Sequence, residues 1–315
     1  MKSKYALFSG SCLCLLAVQY LLQREALACV VLVEAEANPD LEQLKQFLNH
    51  HQIPTLQYRE DSDKHLISEM DRLGANRGLV YLFRHRIRSE VIRYFNNDIV
   101  NIHPSALPEF RGPMPLFWQL KEGAETVRLT LHKVIEELDC GAIGAYIDLP
   151  IHPFDTSQCL HQKVAQMVPA LLDKLIQQEA TGTLNWHEQP QAEALNKIHY
   201  ARHVKIEDLV IDFQRDTCTQ IVNLTRAANT ELGGARFKFR NGLVQLMQAT
   251  KIGCDLMGVR PGTVIELDRT NGLLVKVVDG AVRLDIVLTE QGIFDGYRFA
   301  MLFGLEAGME MSNFS

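Results

Sequence analysis

Short apolar runs alternate with helix-like segments through the first third of the chain, and this alternation constrains the fold more than any other feature. Residues 5–9, 27–33, 54–58 and 79–83 read as strands. The segments between them, 12–24, 38–50 and 61–73, read as helices, the first of which follows a turn at Gly10. The pattern predicts an α/β fold, a doubly wound and mostly parallel sheet, in which ligands bind beyond the carboxyl ends of the strands.

The next apolar run, 98–102, ends in a polar pair. Asn101 and His103 are two residues apart, so on a strand their side chains leave the same face, and Pro104 then ends the strand. Asp139 follows in the short sequence Leu-Asp-Cys-Gly at 138–141. An amide, an imidazole and a carboxylate together suit acyl transfer to an amine, since they can stabilise an oxyanion and move a proton. Taken alone, however, Asn-x-His also fits an ordinary hydrogen-bonded strand end.

Longer motifs decide between these interpretations. The sequence Asn-Ile-His-Pro-Ser-Ala-Leu-Pro-Glu-Phe-Arg-Gly at 101–112 precedes Leu-Thr-Leu-His at 129–132 and the Leu-Asp-Cys-Gly at 138–141. This series resembles the formyltransferases that use 10-formyltetrahydrofolate as co-substrate. The resemblance implies that Asn101, His103 and Asp139 are the catalytic amide, imidazole and carboxylate, with His103 protonated, and that no metal is required.

The same resemblance places the folate. Family members hold the pterin ring with the backbone of the loop that follows the strand at 79–83. The residues predicted to bind the co-substrate are, in this chain, Phe83, Arg84, His85, Arg86, Ile87, Cys140 and Gly141. Arg84 and His85 are similar to residues of the formyltransferase that modifies aminoarabinose for lipid A, although a solvent-exposed basic loop explains their side chains equally well.

The carboxyl-terminal third predicts a second domain. Residues 183–202 lose periodicity and read as a linker, so we expect a catalytic domain at 1–182 and a small β-rich domain at 203–315. Strand-like runs separated by Gly, Pro, Asn and Asp make up the second domain. It resembles the OB-like domain of transfer-RNA and aminoarabinose formyltransferases.

Charge bears on the acceptor. The chain has a net charge of −6, and residues 203–315 hold twelve Lys and Arg against fourteen Asp and Glu. A domain that binds a nucleic-acid backbone is expected to carry a basic excess. The long basic insertion of transfer-RNA-dependent relatives is also replaced by the short segment 34–40. A small-molecule amine, such as that of an amino-sugar nucleotide, is therefore favoured over methionyl-tRNA. An inactive folate-binding scaffold is the third interpretation.

Other signals exclude further classes. The seven cysteines lack paired Cys-x-x-Cys spacing, which argues against a zinc cage or a disulfide framework and favours a reduced, cytoplasmic protein. The first residues, up to Cys29, superficially resemble a lipoprotein leader, but Arg24 and Glu25 interrupt it and a strand–helix–strand uses the same residues better. We expect no membrane association, and the sequence leaves the oligomeric state open.

Two residues of the motifs receive structural roles at this stage. Arg111 fits either a bridge to the acceptor or an ion pair with a neighbouring acid, and the ion pair is favoured. His132 is expected to pack beside the site and not to carry protons.

Overall fold

The computed structural model describes residues 3–33, 39–59, 62–190, 199–240, 242–253 and 257–311. The chain divides into two compact units. The first comprises Met1–Pro115, Thr126–Pro150 and His161–Ala201, and the second comprises Leu116–Glu125, Ile151–Leu160 and Arg202–Ser315. The division predicted from the sequence, 1–182 and 203–315 with a linker at 183–202, stays a prediction. Segments 34–38 and 191–198 lie outside the described residues. The first makes up most of the short segment 34–40, and the second is part of the predicted linker.

The first unit is built on a seven-stranded sheet in the order β3-β2-β1-β4-β5-β6-β7. Strands β1 to β5 are parallel, and β6 and β7 are antiparallel additions at one edge. The strands are β1 Tyr5–Phe8, β2 Leu27–Val33, β3 Thr55–Tyr58, β4 Arg77–Val80, β5 Ile99–His103, β6 Thr126–Lys133 and β7 Ile143–Pro150. This mostly parallel α/β sheet confirms the predicted fold class.

Six α-helices are described between Leu15 and Ala180, and the last two lie partly in the second unit. They are α1 Leu15–Gln23, α2 Pro39–His50, α3 Asp63–Arg72, α4 Ser89–Tyr94, α5 Pro115–Lys121 and α6 Ser157–Ala180. The first was predicted from residue 12, but Cys12–Cys14 forms a 3-10 turn capped by the Ser11 side chain before α1 begins. The apolar amino-terminal segment is part of the sheet, since Tyr5 pairs with Leu27. Across the described part of the chain, no helix has the length and apolarity that crossing a membrane requires.

The strand order reverses beside β1, and this reversal defines a crevice. From β1 the chain moves outward to β2 and β3, then returns to β4 on the other side of β1. Ligands bind at such a switch point, outside the carboxyl ends of the strands. Two loops meet there, because the Gly10 amide donates to the Leu82 carbonyl at 3.1 Å.

The second unit contains an antiparallel sheet in the order β10-β11-β12-β9-β8, with β13 also pairing with β12. Its strands are β8 Ala235–Phe239, β9 Gly242–Ile252, β10 Val264–Asp268, β11 Gly272–Val277, β12 Gly280–Thr289 and β13 Gly292–Asp295. The helices α7 Cys218–Ala228 and α8 Gly296–Phe303 accompany them. The predicted small β-rich domain is confirmed at this level, whereas its likeness to an OB barrel stays a prediction.

Candidate active site

Strand β5 delivers the amide and the imidazole of the site. Asn101 and His103 leave one face of the strand, as their spacing predicts, and both side chains approach Asp139. Asn101 is half-buried, whereas His103 is only 5% exposed. The strand ends at His103, and Pro104 begins the loop that follows.

Asp139 arrives from the turn between β6 and β7. Its backbone is left-handed, with φ of 55°. Its Oδ2 atom accepts a hydrogen bond from the Gly112 amide at 2.9 Å and lies 3.7 Å from His103 Nδ1. Its Oδ1 atom accepts from Asn101 Nδ2 at 3.3 Å. The structure therefore brings the three predicted catalytic side chains together.

Gly141 shapes the turn that presents Asp139. A Cβ atom at this position would lie 2.0 Å from the Lys133 carbonyl oxygen, far inside van der Waals contact. The main chain of the turn thus packs directly against the end of β6, which only glycine permits. This close approach holds Asp139 against the neighbouring strand β5.

His132, which the sequence predicted to pack beside the site, contacts both Asn101 and Asp139. In the antiparallel pairing of β5 and β6, it lies directly opposite Asn101. Its Nδ1 atom lies 2.8 Å from the Lys133 carbonyl and so carries the hydrogen in the neutral ring, which leaves Nε2 as an acceptor for Asn101 Nδ2 at 3.1 Å. Nε2 is also 3.5 Å from Asp139 Oδ1. Its position beside the site agrees with the expectation from the sequence, but the atoms it contacts depend on the register of the strand pair, which apolar periodicity does not reveal.

Both hydrogens of the Asn101 amide are therefore directed at protein groups. One points to His132 and the other, along the longer contact, to Asp139. An amide so held is fixed in orientation, because exchanging its oxygen and nitrogen would place the oxygen against two acceptors. Its nitrogen can serve an oxyanion only if one of these bonds is exchanged, and the 3.3 Å bond to Asp139 is the weaker.

Burial sets the electrostatics of the site. Burial lowers the pKa of His103, although the Asp139 carboxylate and the Phe110 carbonyl act in the opposite direction. Burial alone would raise the pKa of Asp139, but His103, His132 and the Gly112 amide together outweigh it and hold that pKa at about 2. Near pH 7 the site therefore holds an ionised Asp139 beside His103. Desolvation disfavours the charged ring of His103 and the facing oxygen atoms favour it, so the protonated His103 expected from the resemblance stays a prediction.

The remaining nitrogen of His103 is also occupied. Its Nε2 atom lies 2.9 Å from the Phe110 carbonyl. Both ring nitrogens thus face oxygen atoms, an arrangement that stabilises the imidazolium once it forms. The loop bearing Phe110 is itself tied down, because Ser105 donates to the Glu109 carbonyl at 2.7 Å and Thr130 donates to the Ser105 carbonyl at 2.6 Å.

The loop predicted to hold folate starts at the same end of the sheet. Val80, the last residue of β4, pairs with Asn101. Phe83 and Ile87 pack against the apolar core, whereas Arg84, His85 and Arg86 are exposed. The Arg86 guanidinium donates to the Glu136 carbonyl, which connects this loop to the segment leading to Asp139. Cys140 is half-buried, and its thiol donates to the Leu138 carbonyl at 3.1 Å.

Two further findings concern ligands. Within the described ranges, no group of three or more His, Cys, Asp or Glu side chains could hold a metal ion. A cavity of about 670 Å³ lies in the second unit, lined by strand and helix ends that include Arg269, Arg283 and Arg298. Asn101, His103 and Asp139 do not line it.

Family models match both parts of the chain. The model described as "Formyl transferase" covers residues 8–176, and the model described as "Formyl transferase, C-terminal domain" covers residues 203–300. The chain belongs to the formyltransferase family. The motifs that predicted this family, 101–112 and 138–141, lie within the first match.

The chain is similar to formyltransferases that act on different classes of acceptor. A methionyl-tRNA formyltransferase from Thermotoga maritima is 28% identical over 241 residues, which cover 76% of this chain and 74% of the relative. The structure of WlaRD, a sugar 3N-formyltransferase, gives a TM-score of 0.66 at 18% identity, over 90% of this chain and 97% of the other. An N-formyltransferase from Helicobacter canadensis was solved with folinic acid and dTDP-3-aminofucose. It gives a TM-score of 0.66 at 16% identity, over 93% of this chain and 100% of the other. At such identities the structural likeness establishes the shared fold.

Proposed function

We propose that this formyltransferase moves the formyl group of 10-formyltetrahydrofolate to the primary amine of a small molecule, an amino-sugar nucleotide. The observation that carries the proposal is the convergence of Asn101, His103 and Asp139 at the carboxyl end of β5. The structural likeness to two sugar N-formyltransferases, over nearly the full length of each chain, supports the acceptor class.

Each residue has a defined task in the transfer. The acceptor nitrogen attacks the formyl carbon, the bond from that carbon to the folate nitrogen breaks, and one proton passes from the acceptor nitrogen to the folate nitrogen. His103 takes up and returns that proton. Asp139, ionised throughout, stabilises the imidazolium in between. Asn101 donates to the oxyanion as its longer contact with Asp139 is exchanged.

The loop 83–87 suits folate binding because both of its ends are anchored. Phe83 packs edge-on against Tyr58 with ring centroids 5.2 Å apart, and Ile87 is buried. Between these anchors the exposed residues Arg84 to Arg86 face solvent beside the crevice. Cys140 and Gly141, also predicted to bind folate, directly follow Asp139 in the chain. The backbone of a loop anchored at both ends can hold a flat heterocycle by its hydrogen-bonding edge.

Methionyl-tRNA is the second candidate acceptor. The identity with methionyl-tRNA formyltransferases, which extends over about three quarters of both chains, favours it. The charge of the chain disfavours it, since residues 203–315 carry a net charge of −2. A surface that binds transfer RNA needs cations to replace the counterions of the phosphates.

A substrate panel distinguishes the two candidate acceptors. The purified protein is incubated with 10-formyltetrahydrofolate and either amino-sugar nucleotides or methionyl-tRNA, and the formylated product is identified by mass spectrometry. Formylation of a sugar nucleotide is the expected result. Formylation of methionyl-tRNA alone would replace the proposed acceptor, and absence of any product with either class would remove the proposed activity.

A further inference from the structure

A buried glutamine outside the predicted site touches the main chain on both sides of Cys140. The Gln189 Nε2 atom donates to the carbonyl of Asp139 at 2.9 Å and to the carbonyl of Gly141 at 2.8 Å. Its Oε1 atom accepts from Arg111, at 3.2 Å from Nε and 2.6 Å from Nη2. Gln189 is 9% exposed and Arg111 is 7% exposed.

This amide has one possible orientation. A primary amide offers two hydrogens and two acceptor positions, and here all four are used. Exchanging oxygen and nitrogen would turn the oxygen toward two carbonyls and the NH₂ group toward a guanidinium, so every contact would become repulsive. Gln189 therefore fixes the direction of the Asp139 and Gly141 carbonyls.

Arg111 completes a ring of contacts around the catalytic carboxylate. The residue after it, Gly112, donates its amide hydrogen to Asp139 Oδ2. A Cβ atom on Gly112 would lie 2.8 Å from the Ala201 carbonyl, and its φ of 117° also favours glycine. Gln189 thus holds the backbone of Asp139 directly and, through Arg111, the amide that binds its side chain. Within the described residues, the Arg111 guanidinium meets a neutral amide where an acid partner was expected.

We propose that Gln189 is a positioning residue for formyl transfer, which orients the Asp139 carboxylate toward His103 by binding the Asp139 and Gly141 carbonyls and the Arg111 guanidinium. The inference rests on the proposed function, because it gives Asp139 its catalytic task. It assigns no contact between Gln189 and a substrate.

The reason for a catalytic effect is geometric. His103 faces the Asp139 carboxylate at 3.7 Å, the Phe110 carbonyl, and the His132 ring with centroids 6.4 Å apart. Among these groups only Asp139 carries a negative charge. If the turn bearing Asp139 shifts, His103 loses the group that stabilises its imidazolium, and misplacement by about 1 Å can cost about 100-fold in rate.

The test replaces Gln189 by methionine, which has a similar length and offers no hydrogen bond. The control is Gln178→Met, because Gln178 is a partly buried glutamine of the same unit outside the cluster. We expect Gln189→Met to lose about 100-fold in kcat with little change in the KM for the folate. We expect Gln178→Met to keep wild-type kcat.

A second readout does not depend on activity. The His103 imidazole is titrated by NMR, with its signal assigned by its loss in His103→Asn. Moving Asp139 away removes the interaction that raises the pKa of His103, so that pKa falls further in Gln189→Met. A residue with only a structural role would lower thermal stability and leave this titration unchanged.

The outcomes separate cleanly. Wild-type kcat in folded Gln189→Met, or a loss of kcat with an unchanged His103 titration, would overturn the inference. If Gln189→Met does not fold, the double variant Arg111→Met/Gln189→Met removes the buried charge together with its acceptor, and the same two readouts apply. An inactive wild-type enzyme would contradict the proposed function, while the titration would still test the positioning of Asp139.

Discussion

The carboxylate of Asp139 is buried, yet several polar groups face it. The Gly112 amide and Asn101 donate hydrogen bonds to it, and two imidazoles lie within 3.7 Å. A buried charge is stable only when it is compensated in this way. The same contacts that prepare the site for proton transfer therefore stabilise the ionised carboxylate in the folded state.

Acid titration tests this balance at the residue scale. The folded-state pKa of Asp139, about 2, lies below its ordinary value of 3.8. Its charge therefore contributes stability above about pH 4, and the contribution is lost as the pH falls toward 2. We expect Asp139→Asn to lower the free energy of unfolding by about 2 kcal/mol at neutral pH, and the difference to shrink in acid. Urea unfolding against pH measures both quantities.

Asp148 provides the control for this measurement. It pairs with Arg128 at 2.7 Å, but its side chain is 49% exposed. An exposed pair contributes little, so Asp148→Asn should unfold almost as the wild type does at each pH. A constant difference between Asp139→Asn and wild type from neutral pH to acid would contradict the ionised, compensated carboxylate.

At the scale of elements, the turn between β6 and β7 decides where Asp139 lies. Gly141→Ala would place a methyl group 2.0 Å from the Lys133 carbonyl, so the turn must move away from β6. We expect a loss of about 1–3 kcal/mol in unfolding free energy and a larger proportional loss of activity. Gly10→Ala is the control, because its Cβ atom would meet nothing closer than 3.6 Å. Equal stability of the two variants would contradict the close packing of the turn.

The positions of some site residues could be predicted from the sequence, and those of others could not. The two-residue spacing of Asn101 and His103 predicted their common face, since strand periodicity depends on local sequence alone. His132 was predicted to pack beside the site, but its individual contacts were not, because they depend on the antiparallel register of β5 and β6. Gln189 lies in a segment without periodicity, so its contacts with Asp139 and Arg111 depend on tertiary structure.

Element boundaries were missed for similar reasons. The strand predicted at 79–83 ends at Val80, because Leu82 adopts a left-handed backbone with φ of 56° and the chain leaves the sheet. β13 and α8 were not predicted: the strand is only four residues long, and the helix follows it directly, capped by Asp295.

For the whole molecule, charge gives the prediction that bears on the acceptor. With a net charge of −6, the chain has no general attraction for a polyanion. We expect the acceptor KM to change less than about threefold between low and physiological salt, since a compact ligand contacts few phosphates. A transfer-RNA acceptor bound through several phosphates would lose about 1,000-fold in affinity over that range. Steady-state kinetics at several salt concentrations distinguish the two.

The central claim is that Asn101, His103 and Asp139 perform formyl transfer, and one measurement tests it most directly. Turnover of 10-formyltetrahydrofolate with the best acceptor is compared between wild type and His103→Asn, with folate binding measured separately for each. We expect His103→Asn to bind folate as the wild type does and to lose about 100- to 10,000-fold in kcat, the usual contribution of general acid–base catalysis. Full turnover in that variant, with folate binding retained, would contradict the account.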